Sequence, residues 1–215
     1  MDTNENNIIV ALVAVGDKHV NEIIPYYNQL KRWGYNVKIL TDQPIKFEIA
    51  DVTVYTKHIF NYFDKLYFPL SIIKDYNQTV IYIDGSSPIS KEQISQYTSG
   101  LATDFSYIES WPLGGFDEYK DKASFGFLSM YLDVYNMPIK NYPTIQERVM
   151  IFNKTINHEL VSKELEMIQP VFDYMALFNY KMYVKPFVLG DGEGLAMSII
   201  LEKTNQSFLL HTPTN

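Results

Sequence analysis

Ile8-Ile-Val-Ala-Leu-Val-Ala-Val15, closed by Gly16-Asp17, is an unbroken apolar run rich in β-branched residues. A strand covered on one face alternates apolar and polar side chains, so a continuous run of this length reads as a strand buried on both faces. Directly after it, Val20, Ile23, Ile24, Tyr27, Leu30 and Trp33 recur at spacings of three and four, the period of a helix with one apolar face. Pro25 is expected in its first turn or at a kink, and Gly34 suits its end. Asn36-Val-Lys-Ile-Leu40 reads as a second strand closed by Thr41-Asp42, and Asp51-Val-Thr-Val-Tyr55 as a third. Phe63, Leu66, Tyr67, Leu70 and Ile73 return to helical spacing, with Pro69 a kink, and Thr79-Val-Ile-Tyr-Ile83 is a fourth strand running into Asp84-Gly85-Ser86. Strand and helix alternate throughout, which predicts an α/β fold: a mostly parallel sheet flanked by helices and wound right-handed. Ligands of such sheets bind beyond the carboxyl ends of the strands, where Gly16-Asp17, Thr41-Asp42 and Asp84-Gly85 all fall.

The second half is less regular. Residues 91–99 read as a short helix, 104–110 as a strand, and 111–126 as a long loop with exposed aromatics. Val149–Phe152 is a short strand, 158–181 two helices divided at Pro170, and Tyr183–Leu189 a strand. The turn Gly190-Asp191-Gly192-Glu193-Gly194 leads into a helix over Leu195–Lys203, and Ser207–His211 ends the chain as a strand. With no linker or repeat in view, 1–215 is expected to be a single domain, with 1–7 flexible and 8–90 and 91–215 as its two halves.

The chain has 215 residues, 47% of them hydrophobic and 20% charged, which is globular and excludes a disordered or collagenous chain. It has no cysteine, so disulfide frameworks, thiolate metal sites and cysteine nucleophiles are excluded. A net charge of −7 does not favour polyanions in bulk. The polar start MDTNENN lacks a basic region, and the longest apolar run is far short of the ~20 residues of a membrane span. A soluble, cytoplasmic protein is expected, without a membrane partner. Arg32 and Arg148 stand against sixteen lysines, with abundant Asn, Ile and Tyr, the bias of AT-rich coding in a phage or low-GC bacterium.

The stretch Lys65–Ser87, a helix carrying a lysine followed by VIYID (80–84) and Gly85-Ser86, resembles the glycosyltransferases of GT-A fold. The same order of motifs covers most of the chain. VALVAVGD (10–17) and NVKILTD (36–42) look like that family's first two strands, Arg148–Asn153 its later "GVMLFN" strand, Phe172–Asn179 its "fxDQxalN" helix, and FLLHTP (208–213) its terminal histidine segment. The resemblance implies a GT-A, Rossmann-like mixed sheet and transfer of a sugar from a nucleotide-sugar donor, a UDP-sugar, to an acceptor hydroxyl. It implies donor contacts at Val13, Ala14, Val15, Gly16, Asp17, Asp42, Lys65, Asp84, Gly85 and Ser86, and a divalent cation, Mn²⁺ or Mg²⁺, at Asp84, Ser86 and His211. A hard cation held by oxygens would neutralise the clustered diphosphate charge as the sugar leaves.

The family's Asp-x-Asp is here Asp84-Gly85-Ser86, so the second carboxylate is a hydroxyl. Two readings follow: the reduced ligand set still holds a cation, or the site works without metal and Lys65 or another cation stabilises the leaving group. Asp191, Glu193 and Asp117 are the candidates for a catalytic base, although a helix N-terminus favours the ionised carboxylate and so lowers basicity at 191–193. Trp111, Phe116 and Tyr119 are candidates to stack on an acceptor. That acceptor is a glycan, a small molecule or, for a phage protein, a hydroxymethylated DNA base, for which Lys120, Lys122, Lys140, Lys154, Lys163, Lys181 and Lys185 offer a basic lining. Plainer roles are open as well: Asp17 as a helix cap, Lys65 on a solvated face, His211 in a tail. A non-catalytic nucleotide-sugar or glycan-binding relative is the alternative that Ser86 favours. A sugar nucleotidyltransferase needs a Gly-rich basic loop after its first strand, and VAVGDKHVNE has one glycine there.

Overall fold

The computed structural model describes residues 8–57, 60–108, 125–140, 142, 143, 145, 148–183 and 192–210. Its first apolar run is β1 (Ile8–Ala14), which pairs in parallel with β2 (Asn36–Thr41) on one side and β4 (Thr79–Ile83) on the other. β3 (Val52–Val54) extends the parallel set beyond β2. Past β4 the sheet becomes mixed. β6 (Val149–Phe152) runs antiparallel to both β4 and β5 (Phe105–Tyr107), and β7 (Phe208–Leu210) lies parallel to β5 at the edge. The order is β3-β2-β1-β4-β6-β5-β7. The chain leaves β1 towards β2 and β3, then returns to place β4 on β1's other flank, so the direction of winding reverses between β1 and β4. Reversals of this kind open a crevice at the strands' carboxyl ends.

Burial on both faces follows from the two-residue period of a strand. Val10, Leu12 and Ala14 face α1 (Asp17–Arg32) and α3 (Lys91–Thr98), packing on Val20, Ile23, Leu30 and Ile94. Ile9 and Ala11 face the other way, into a core shared with α2 (Asp64–Tyr76), α4 (Phe125–Val134), α5 (His158–Tyr183) and α6 (Glu193–Lys203). Asp51 fastens α1 to the segment before β3, accepting from the Tyr27 hydroxyl at 2.7 Å and the Lys31 ammonium at 2.8 Å.

Several sequence expectations change. α1 runs unbroken through Pro25, whose ring is on the exposed face, where water can satisfy the carbonyl that the missing N–H leaves. α5 is one helix of 26 residues and not two, for the same reason at exposed Pro170; Val161, Leu165, Ile168 and Phe172 keep one buried stripe across it. α5 also includes Tyr183, so the strand expected from Tyr183 cannot begin there, and its remainder, 184–189, lies outside the described residues. α6 begins at Glu193, two residues before the expected Leu195. α4 has no counterpart in the sequence reading.

Candidate active site

β4 ends into a tight turn: Ser87 N–H donates to the Asp84 carbonyl at 2.9 Å, and Asp84 N–H to the Arg148 carbonyl at 2.8 Å. Within this turn the Ser86 N–H and hydroxyl both donate to Asp84 Oδ1, at 2.9 and 2.7 Å, an aspartate-led turn that folds the serine back on the carboxylate. The second oxygen faces α2. Lys65, in the first turn of that helix, donates from Nζ to Asp84 Oδ2 at 3.1 Å, and the Tyr82 hydroxyl approaches the same oxygen at 3.4 Å. Tyr82 and Asp84 are two residues apart and therefore share a face. Lys65 is also held 4.6 Å over the ring of Tyr62. A cation near a helix N-terminus is electrostatically disfavoured; the carboxylate and the ring hold it there.

The pair is largely withdrawn from water, with side-chain exposures of 13% for Lys65 and 24% for Asp84. Burial by itself would raise the Asp84 carboxyl. The Lys65 charge, the Ser86 hydroxyl, the Ser86 N–H and the Lys65 hydrogen bond together outweigh it and hold the group below the ordinary aspartate value.

This corner borders a cleft of about 680 Å³ at the carboxyl ends of β1 and β4. Its floor is Val13 and Val15 of the β1 end; Phe60 and Tyr62 line it beside Lys65; Asp84, Gly85 and Ser86 form another wall; Lys18, His19 and Glu22 of α1 close it. Phe60 and Tyr62 meet edge to face, with ring centroids 5.6 Å apart. Glu22 stands 3.8 Å from His19 and 4.0 Å from Lys18. Gly85 packs against α1 so closely that a Cβ there would lie 2.6 Å from Ile23 Cδ1.

Between β1 and α1, Gly16 adopts φ +87°, a conformation that side chains strain to adopt, and its N–H donates to both Asp42 oxygens at 3.0 and 3.1 Å. Asp17 begins α1 and accepts from the Gln43 amide. Asp17 and Asp42 thus stitch the ends of β1 and β2 together, and neither forms part of the cleft wall.

Of the donor contacts expected from the sequence, Val13, Val15, Lys65, Asp84, Gly85 and Ser86 converge on the cleft, whereas Gly16, Asp17 and Asp42 join the ends of β1 and β2 and do not line it. Ala14 points into the core under α1. Glu193 is buried at the start of α6, where its carboxylate accepts the Gly192 N–H at 3.1 Å, and it lines no part of the cleft. Asp117, Asp191, His211, Trp111, Phe116 and Tyr119 lie outside the described residues. Sequence reasoning missed Phe60, Tyr62, Tyr82 and the Lys18, His19, Glu22 wall. Tyr82 was legible from its two-residue offset to Asp84. The α1 wall was legible as polar side chains in the first turns of the helix after β1. Phe60 and Tyr62 lie in irregular chain with no period to read.

A Mg²⁺ or Mn²⁺ ion calls for about six oxygen ligands in near-octahedral array. Among the described residues no three His, Asp or Glu side chains are grouped to hold an ion. Asp84 offers its oxygens to Ser86 on one side and to an ammonium on the other. The described donor set does not fit a divalent cation.

The sheet order, with β6 reversed, is consistent with a GT-A, Rossmann-like fold of mixed, mostly parallel strands flanked by helices. No protein-family model and no curated protein sequence matches the chain. Among solved structures, the galactosyltransferase LgtC in complex with donor and acceptor sugar analogues is similar, at 10% sequence identity and a TM-score of 0.41. The similarity covers 85% of this chain and 72% of that one. No helix among the described residues is long and apolar enough to cross a membrane.

Proposed function

We propose that the protein is a glycosyltransferase that passes a sugar from a nucleotide-sugar donor, a UDP-sugar, to an acceptor hydroxyl. The observation that carries this reading is a charged corner, Lys65 on Asp84, opening into a cleft at the β1/β4 crevice. The cleft volume suits a ligand of nucleotide-sugar size. Val13, Val15, Phe60 and Tyr62 supply apolar and aromatic surface for a base, and Lys65 supplies positive charge for the diphosphate. In the transfer, the bond from the anomeric carbon to the β-phosphate oxygen breaks and its electron pair stays on that oxygen. The acceptor oxygen bonds the anomeric carbon and gives its proton to a carboxylate, for which Asp117 and Asp191 are the candidates from the sequence.

The acceptor is a glycan, a small molecule or a hydroxymethylated DNA base; salt-dependent binding to duplex DNA separates the last from the others. Incubation with UDP-sugars tests the reading through slow release of UDP to water and through UDP binding. Failure to bind UDP at millimolar concentration, together with no release, defeats it. The second reading, a non-catalytic nucleotide-sugar binder, draws on Ser86 standing where a carboxylate is expected. Binding of UDP-sugars without any hydrolysis would favour it.

A further inference from the structure

The geometry points to the Lys65 ammonium as a built-in cation that takes the place of a divalent metal ion in receiving the donor's diphosphate. This rests on the cleft being a nucleotide-sugar site and adds how that site handles charge. Three observations meet here. The hydroxyl of Ser86 stands where the resemblance implies a second carboxylate, and it donates to Asp84 Oδ1 instead of presenting an oxygen anion to the cleft. The other Asp84 oxygen, the remaining carboxylate position for a metal, faces Lys65 Nζ at 3.1 Å. The same lysine lines the cleft, set over Tyr62, so its charge borders the space a ligand would fill.

A divalent ion bound at Asp84 would sit beside an ammonium and be repelled by it, at a carboxylate whose charge Lys65 already offsets. A phosphate oxygen approaching from the cleft meets the reverse situation. It is a stronger acceptor than water, and Lys65 can share or exchange Asp84 Oδ2 for it as a point-charge donor. Asp84 then positions the lysine, as a counter-charge that keeps it protonated and aimed. When the anomeric C–O bond breaks, the diphosphate gains one unit of negative charge on the oxygen that keeps the electron pair, and Lys65 faces it without proton transfer.

The test is calorimetric titration of the whole protein with UDP, in EDTA and in excess Mn²⁺, with uridine as a probe lacking phosphate. The wild type is expected to bind UDP in EDTA, with less than a twofold change on adding Mn²⁺. Lys65→Ala is expected to raise the UDP dissociation constant at least tenfold, because Asp84 then faces the diphosphate uncompensated, and to leave uridine affinity within twofold. Lys65→Arg keeps the charge and should stay within about threefold. Asp84→Asn should weaken UDP binding less than Lys65→Ala does; a metal ligand would show the opposite ranking. UDP binding that appears only with Mn²⁺, or that Asp84→Asn abolishes while Lys65→Ala spares it, overturns the built-in cation and leaves the glycosyltransferase reading standing. No UDP binding in either buffer overturns that reading itself. The two wild-type titrations decide the matter even where a variant fails to fold.

Discussion

Two aspartates in this molecule carry nearly the same hydrogen bonds and serve different ends. Asp84 accepts from the N–H and hydroxyl of Ser86, two residues on; Asp104 accepts from the N–H and hydroxyl of Ser207, at 3.0 and 2.7 Å, and from the Thr155 hydroxyl at 2.7 Å. The second cluster is a clip. Asp104 precedes β5, Ser207 precedes β7 and Thr155 follows β6, so one carboxylate ties together the starts or ends of three neighbouring strands. Asp84 ties its own turn only, and adds a lysine from α2 together with an opening onto a cleft. A carboxylate ringed by hydroxyls is therefore no sign of a ligand site. The site is marked by a cation recruited from a distant element and by space beside it.

The largest effect should come from reversing that cation. Lys65→Glu sets a carboxylate against Asp84 where an ammonium stood, and leaving that part-buried carboxylate without its donor costs about 1–3 kcal/mol. UDP affinity should fall at least a hundredfold, about 2.7 kcal/mol by the usual conversion, while circular dichroism shows the overall secondary structure unchanged. Retained UDP affinity would erase the distinction between the two corners.

Asp104→Ala should do the reverse. It removes the partner of exposed N–H and hydroxyl groups that water can then serve, at ~0.5–1.5 kcal/mol, read as a lower denaturation midpoint. UDP affinity should stay within twofold, and a tenfold loss would mean that the clip communicates with the cleft. Gly85 probes the wall between cleft and core. A Cβ there meets Ile23 Cδ1 at 2.6 Å, and Ile23 is fully buried, so Gly85→Ala should cost ~1–3 kcal/mol by overpacking. Ile23→Val removes the atom it meets, and the double variant should be about as stable as Ile23→Val alone. Equal loss in both backgrounds would show that the crowding lies elsewhere.

How much of this contrast could be read in advance depends on where its information lies. β1 and β4 were legible because strands buried on both faces are apolar without interruption. The Asp84 turn followed because aspartate and glycine end such strands. The direction of β6 was not legible: Val149-Met-Ile-Phe152 is equally apolar read either way, and antiparallel pairing with β4 is set by how the chain returns to the sheet. α4 escaped because Phe125–Val134 is apolar almost all round in sequence: its buried stripe, Leu128, Tyr131 and Leu132, is not set off from an exposed face that carries Met130 and Val134. Pro170 misled because a proline breaks a helix by leaving a carbonyl unsatisfied, and on an exposed face water removes that penalty. Lys65 came into view through the family resemblance, since its partner is 19 residues away on another element and nothing in helical spacing singles out one lysine among sixteen. The Asp104 clip spans 103 residues and joined no motif at all.

The smallest effect separates the corners by pH. At both aspartates burial raises the carboxyl and is outweighed, by Lys65 and Ser86 at Asp84 and by Ser207 and Thr155 at Asp104, so both sit below the ordinary value. A group whose folded pKa is depressed binds its proton more readily unfolded. Its stabilisation is therefore fully present above the unfolded aspartate value of about 4 and is lost as pH falls through the lower folded value. Wild-type stability should decline with acid through that window. Asp104→Asn should make the decline shallower and leave UDP binding at pH 4 to 5 as in the wild type. Asp84→Asn should flatten the same limb and also lower UDP affinity at pH 4 to 5, where the folded Asp84 carboxyl is still ionised and holds the lysine in place. Equal UDP affinities for the two variants in that range would mean that Asp84, like Asp104, serves the fold and nothing more.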